Sequence, residues 1–277
     1  MNWLTDPLSF GFMRQAFIMA VLVAVPCAIL SCYLVLKGWA LMGDAVAHAV
    51  LPGVVLAYIT GLPLILGAFG AGMVCALATG FIAENSRVKR DTVMGVVFAG
   101  MFGAGLVLHT AIPTGIHLDH ILFGNILGVS WRDIAETGVI SAVVVVGLLI
   151  WRKDLLVHAF DASHASALGL PTRWLHYGLL IGLSLTIVAT LKAAGLIIAI
   201  AFLIAPGAIA FLLTRTFRSM VLMALAVAVG SSLSGVFASF HLDSAPAPTI
   251  VVVMTAIFVL AFLFAPQRGL LVHRRGT

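Results

Sequence analysis

Eight stretches of the chain are almost free of charged side chains: 15–36, 45–82, 92–116, 137–150, 174–191, 193–214, 219–240 and 244–267. A helix needs about 20 residues to cross the hydrocarbon core of a bilayer, and most of these runs come near that length. The second is long enough for two crossings, with a turn near Gly61-Leu62-Pro63. The pattern therefore predicts eight or nine membrane-spanning helices. Strands of a membrane barrel would alternate apolar and polar residues over about ten positions, whereas these runs are continuously apolar. The expected fold is all-α, a single transmembrane domain over residues 1–277.

Composition supports this reading. Hydrophobic residues make up 62% of the chain and charged ones 9%, with a mean hydropathy of +1.18; soluble domains carry about 25% charged residues. If the spans alternate, twelve basic residues fall on one side: Lys37, Arg87, Lys89, Arg90, Arg152, Lys153, Arg173, Arg215, Arg218, Arg268, Arg274 and Arg275. Only Arg14, Arg132 and Lys192 oppose them. This asymmetry makes the basic side and the C-terminus cytoplasmic, and a count of nine would put the N-terminus outside. The net charge of +5 is thus a matter of topology. Basic residues scattered over short loops without aromatic interleaving do not form a nucleic-acid surface.

The first fifteen residues contain Asp6 and lack a basic leader, so no cleavable signal peptide is expected. Cys27, Cys32 and Cys75 lie in apolar runs without CxxC spacing and read as packing residues. Gly95, Ala99 and Gly103 share one helical face, and Gly67, Gly70 and Gly72 cluster in another run. Both sets read as helix-packing positions. Pro52, Pro206 and Pro266 are expected to break or end helices.

Within this apolar background, GDAVAHAVLPG at 43–53 places Asp44 and His48 at i and i+4, on one helical face. A carboxylate and an imidazole so spaced can both ligate a divalent cation, and such ligands suit manganese, iron or zinc better than calcium or magnesium. An alternative stays open at this point: Asp44 as a helix N-cap and His48 bonded to a nearby carbonyl. His117, Asp119 and His120, together with His241 and Asp243, fall in two loops on the outer side and are candidate outer contacts for an arriving cation. His158, Asp161 and His164 read as solvated residues of an amphipathic loop helix, and His109 and His176 as hydrogen-bonded packing residues.

KGWALMGDAVAHAVLPGVVLAY at 37–58 resembles the signature of the ABC-3 family, the permeases of zinc, manganese and iron ABC importers. LFGNILGVS at 122–130, AFDASHASALGLP at 159–171, GLIIAIAFLIAPGAIAFLL at 195–213 and HLDSAPAP at 241–248 match further landmarks in order, so the resemblance covers essentially the whole chain. It implies metal coordination on the translocation path by Asp44 and His48. It also implies a cytoplasmic coupling helix over 160–170, with Phe160, Asp161, Leu168 and Gly169 meeting a partner ATP-binding subunit. Two departures stand out: Ala47 replaces the usual serine before the histidine, and Ala162-Ser163-His164 lacks the common acidic residue. The implied assembly comprises the ATPase, an extracytoplasmic metal-binding protein and a second permease protomer, identical or paralogous, in a bacterial cytoplasmic membrane. No permanently bound cofactor is implied, only a transported divalent metal. The wording of the signature is closer to manganese and iron members than to zinc members.

Energy supply separates the competing classes. No lysine sits in GxxxxGK[ST], so no P-loop is present and the resemblance points to a transport subunit that performs no catalysis itself. A secondary transporter driven by an ion gradient would be expected to carry more intramembrane acids and a pair of matched broken helices. An intramembrane metalloprotease would need a zinc-binding string such as HExxH, which does not occur.

Overall fold

The computed structural model describes residues 6–112, 124 and 126–265. Among these the chain is helical, with no strand: α1 (Asp6–Ser9), α2 (Gly11–Lys37), α3 (Met42–Thr60), α4 (Leu64–Asn85), α5 (Arg90–Ala111), α6 (Trp131–Ile150), α7 (Arg152–Phe160), α8 (Ala162–Ala167), α9 (Thr172–Ala194), α10 (Leu196–Leu213), α11 (Phe217–His241) and α12 (Pro246–Phe264). Nine of the described helices are long and apolar enough to cross a membrane. The long run at 45–82 resolves into α3 and α4. Gly61 ends α3 at φ +70°, and the Leu62 amide bonds back to the Ala57 carbonyl at 2.9 Å, a glycine-terminated helix end that only a residue tolerant of positive φ closes without strain.

α2 forms the centre. It packs against α6, α9, α10 and α11, while α3 is enclosed by α4, α5, α9 and α10. Buried Met13, Met19, Leu30, Tyr33 and Leu34 of α2 join Leu179, Leu183, Ile187, Phe202 and Leu203 in one continuous core. Lipid offers little driving force for association beyond contact itself, so backbones come close where side chains are absent. A Cβ on Gly53 would lie 2.1 Å from the Gly67 carbonyl oxygen, and one on Gly67 would lie 2.2 Å from that of Gly53. α3 and α4 therefore touch backbone to backbone.

Gly95 and Gly103 behave differently: nothing lies within contact distance of a Cβ at either position. The stripe read as a packing face therefore meets no other helix of the same protomer and faces outward. α5 meets α3 through its adjacent face, where a Cβ on Gly105 would lie 2.9 Å from Pro52. Pro52 and Pro206 also depart from expectation, since both sit inside continuous helices. Pro266 lies outside the described residues.

Basic residues gather at one end of the bundle. The Tyr33 hydroxyl donates to the Arg152 carbonyl at 3.4 Å, and Arg152, Lys153 and Arg218 border the same cleft. At the opposite end two of the three exceptional cations have acidic partners. Lys192 Nζ lies 2.9 Å from Asp133 Oδ1 and also bonds Glu136, while Arg132 Nε lies 3.0 Å from Glu136 Oε1. Asp133 completes a capping box with Ser130 at the start of α6.

Candidate metal path

Asp44 stands in the first turn of α3, a helix that starts well inside the bundle rather than at its basic end. The Ala45 carbonyl accepts from the Cys75 thiol at 3.6 Å, and Cys75 is near the middle of the apolar stretch Leu64–Ala83. Gly43 contacts Leu203, halfway along α10, and Val46 meets Gly72 opposite Ser184. The chain turns back at Gly38, passes buried Trp39, and begins α3 close to half depth. Asp44 follows Lys37 closely in the sequence, yet packing places the pair at mid-depth.

His48 Nδ1 lies 3.0 Å from Asp44 Oδ1 and 3.1 Å from the Asp44 carbonyl oxygen. Both neighbours are acceptors, so the ring hydrogen belongs on Nδ1. In the neutral imidazole this leaves the Nε2 lone pair available for a cation, and the carboxylate both orients the ring and raises its basicity as a ligand. The second carboxylate oxygen gives Asp44 a ligand position of its own. The helix-cap alternative fails here: Leu41 holds the N-cap position, and no side-chain cap bond is present. Bonding of His48 to a backbone carbonyl does occur, alongside its contact with the carboxylate.

Phe98 and Phe102 of α5 hold the imidazole, each ring centroid 5.3 Å from that of His48. They sit at i and i+4 near the middle of their helix, a signal that sequence reading passed over among many apolar residues. Pro52 contributes through what it lacks: it has no amide hydrogen to give the His48 carbonyl four residues earlier, so that oxygen loses its helical donor beside the site. The Asp44 and His48 side chains remain 31% and 22% exposed, open at a face that the chain's own helices do not close. Among the described residues, no three histidine, cysteine or acidic side chains gather into a cation site. One protomer thus brings together a pair of side chains that could ligate a cation.

Among the described residues, the other candidates His241 and Asp243 do not join this pair in a cation site. His241 ends α11, its Nδ1 3.1 Å from the Phe237 carbonyl and its ring against Phe237 and Phe240. Asp243 occupies the following turn with φ +50°. His117, Asp119 and His120 lie outside the described residues. Cys27, Cys32 and Cys75 are buried and free, as packing predicts.

At the basic end, α7 and α8 form a bent helical pair between α6 and α9. Asp161 joins them, its Oδ1 accepting from the amides of Ser163 at 2.8 Å and His164 at 3.0 Å. These bonds hold its carboxyl below the ordinary carboxylate range. Phe160 and Leu168 are 68% and 59% exposed, and Gly169 reverses the chain at φ +77°. Two large apolar side chains thus protrude beside a cap that fixes the bend.

Among the described residues, nine apolar helices around a mid-depth carboxylate–imidazole pair, with a short helical pair projecting at the basic end, define a polytopic permease. A model of the ABC 3 transport family matches residues 9–265, and the chain belongs to that family. It is 51% identical over 267 residues to a probable iron transport system membrane protein of Haemophilus influenzae, covering 96% of this chain and 98% of that one. It is 45% identical to the manganese transport system membrane protein MntB of Synechocystis, covering 98% and 88%. Among solved structures, PsaBC from Streptococcus pneumoniae in complex with Fab is similar at TM-score 0.86 and 33% identity, covering 96% of each chain. The chain is a membrane subunit of an ABC transport system.

Proposed function

We propose that this subunit imports a divalent transition metal, manganese or iron, across a bacterial cytoplasmic membrane, with its basic end and C-terminus in the cytoplasm. The observation that carries the reading is the Asp44–His48 pair at half depth. An ionisable pair inside a span is costly unless it serves the path, and a mixed oxygen and nitrogen donor set suits these ions. The names of the iron and manganese relatives support the same substrate class.

Charge balance makes the second protomer part of the proposal. One Asp44 neutralises half of a divalent ion, whereas two protomers facing each other supply two carboxylates and two imidazoles. The open face of the pair and the outward stripe of Gly95, Ala99 and Gly103 allow such an approach; the partner is a second copy or a paralogue. An extracytoplasmic binding protein delivers the ion at the end holding Lys192, with His117, Asp119, His120, His241 and Asp243 as first contacts. An ATP-binding subunit docks on Phe160, Asp161, Leu168 and Gly169, and its cycle alternates access to the central site.

Accumulation of radiolabelled manganese, iron and zinc, measured under reducing conditions in cells expressing the complete system, tests this reading. Uptake of manganese or iron that requires the ATPase is expected. Uptake unaffected by removing the ATPase, or no uptake of any of the three ions, would contradict it.

A further inference from the structure

A cavity of about 560 Å³ opens at the basic end between the end of α2, the last turns of α4, the α7–α8 pair and the start of α9. Lys37, His158, Arg173 and His176 line it, and no described carboxylate does. Lys37 Nζ lies 2.7 Å from His158 Nε2 and 4.2 Å from the centre of the Trp39 ring. An ammonium can only donate, so Nε2 accepts and the imidazole hydrogen sits on Nδ1. His158 is 4% exposed, and its Nδ1 is buried without a hydrogen-bond partner. Burial and the neighbouring Lys37 push this histidine down to about 4, so it is neutral at ordinary pH.

The cavity therefore combines two cationic side chains, Lys37 and Arg173, with a histidine that stays neutral and adds no negative charge. α9 begins at its rim with no side-chain cap, and Thr172 and Arg173 of its first turn belong to the lining. Such a helix start adds amide donors and partial positive charge. An anion with several acceptor oxygens fits this set, and phosphate is the common one.

Leu77 and Phe81 separate a lipid from a free ion. Both line the cavity, and both are exposed, 41% and 69%, on the outer surface of an apolar helix. Inorganic phosphate has no use for such a wall, whereas acyl chains lie against it. We propose that the cavity binds the phosphate of an anionic phospholipid, with Lys37 and Arg173 as charge partners and Leu77 and Phe81 under the acyl chains. Basic pockets between membrane helices recognise lipid headgroups in this way.

Native mass spectrometry of the full chain, released from vesicles of phosphatidylcholine mixed with phosphatidylglycerol, tests the proposal. Phosphatidylglycerol should be retained in preference to phosphatidylcholine, and Arg173→Gln and Lys37→Gln should each weaken retention about fivefold. Arg173 is exposed, so an unchanged melting temperature in detergent for its variant separates lost binding from lost folding. A second arm adds inorganic phosphate to chain prepared in phosphatidylcholine alone. Phosphate binding with the same dependence on Arg173, without retention of phosphatidylglycerol, would keep the anion site but overturn the lipid assignment. Equal retention of the two lipids, or retention unchanged in both variants, would overturn the proposal altogether.

Discussion

The Asp161 carboxylate accepts from two amides at the start of α8, so its first task is to hold a bend, and any contact with a partner follows from that. Asn caps a helix about as well as Asp, whereas Ala costs roughly 0.5–2 kcal/mol. Asp161→Asn is expected to keep ATPase association near the parent level in a detergent pull-down, and Asp161→Ala to reduce it. The cap is also insensitive to pH near neutrality. A carboxyl with a depressed folded-state pKa contributes fully above its unfolded value and loses that contribution only as pH falls through the folded one. Asp44 and His48 were legible in the sequence as a pair, because a spacing of four fixes a shared face on any helix. Their depth was not legible: it depends on α3 starting beside Cys75 and Leu203, contacts made by residues far away in the chain.

At the scale of elements, the helices could be read directly because apolar runs of span length have few other solutions in a bilayer. Packing faces were harder to assign. A small-residue stripe looks the same whether its partner is in the same chain or another, and Gly95, Ala99 and Gly103 turned out to face outward. A proline does not by itself mark a break, for a related reason: neighbouring helices support the local loss of one bond, so Pro52 and Pro206 remain within continuous helices. The Gly53–Gly67 contact gives the element-scale prediction. Gly53→Ala must push α4 away from α3, at a cost of about 1–3 kcal/mol typical of overpacking. Gly100→Ala meets nothing within the protomer. Thermal unfolding of the purified chain should show a lowered midpoint for the first and an unchanged one for the second.

For the whole molecule, the charge asymmetry read from the sequence corresponds to a bundle with a basic end, and the exceptional cations Arg132 and Lys192 pair with Asp133 and Glu136 at the other. The Arg132–Glu136 pair follows from a spacing of four on one helix, but the sequence could not show the Lys192 pairs, since Lys192 and Glu136 are 56 residues apart. At the basic end, Phe160 and Leu168 present apolar surface beside the Asp161 bend. Phe160→Ala combined with Leu168→Ala should lower ATPase association on the order of tenfold or more while leaving a folded, membrane-inserted chain. Undiminished association would remove this pair from the coupling surface. The central claim joins the mid-depth pair to the ion that crosses. Asp44→Asn keeps shape and hydrogen bonding but removes the negative charge; His48→Gln keeps a polar side chain but removes the imidazole. Radiolabelled manganese uptake by cells carrying the complete system, with expression and ATPase association verified for each variant, measures that claim directly. Uptake should fall roughly 10- to 100-fold in both variants, whereas uptake near the parent level in both would contradict a metal path through Asp44 and His48.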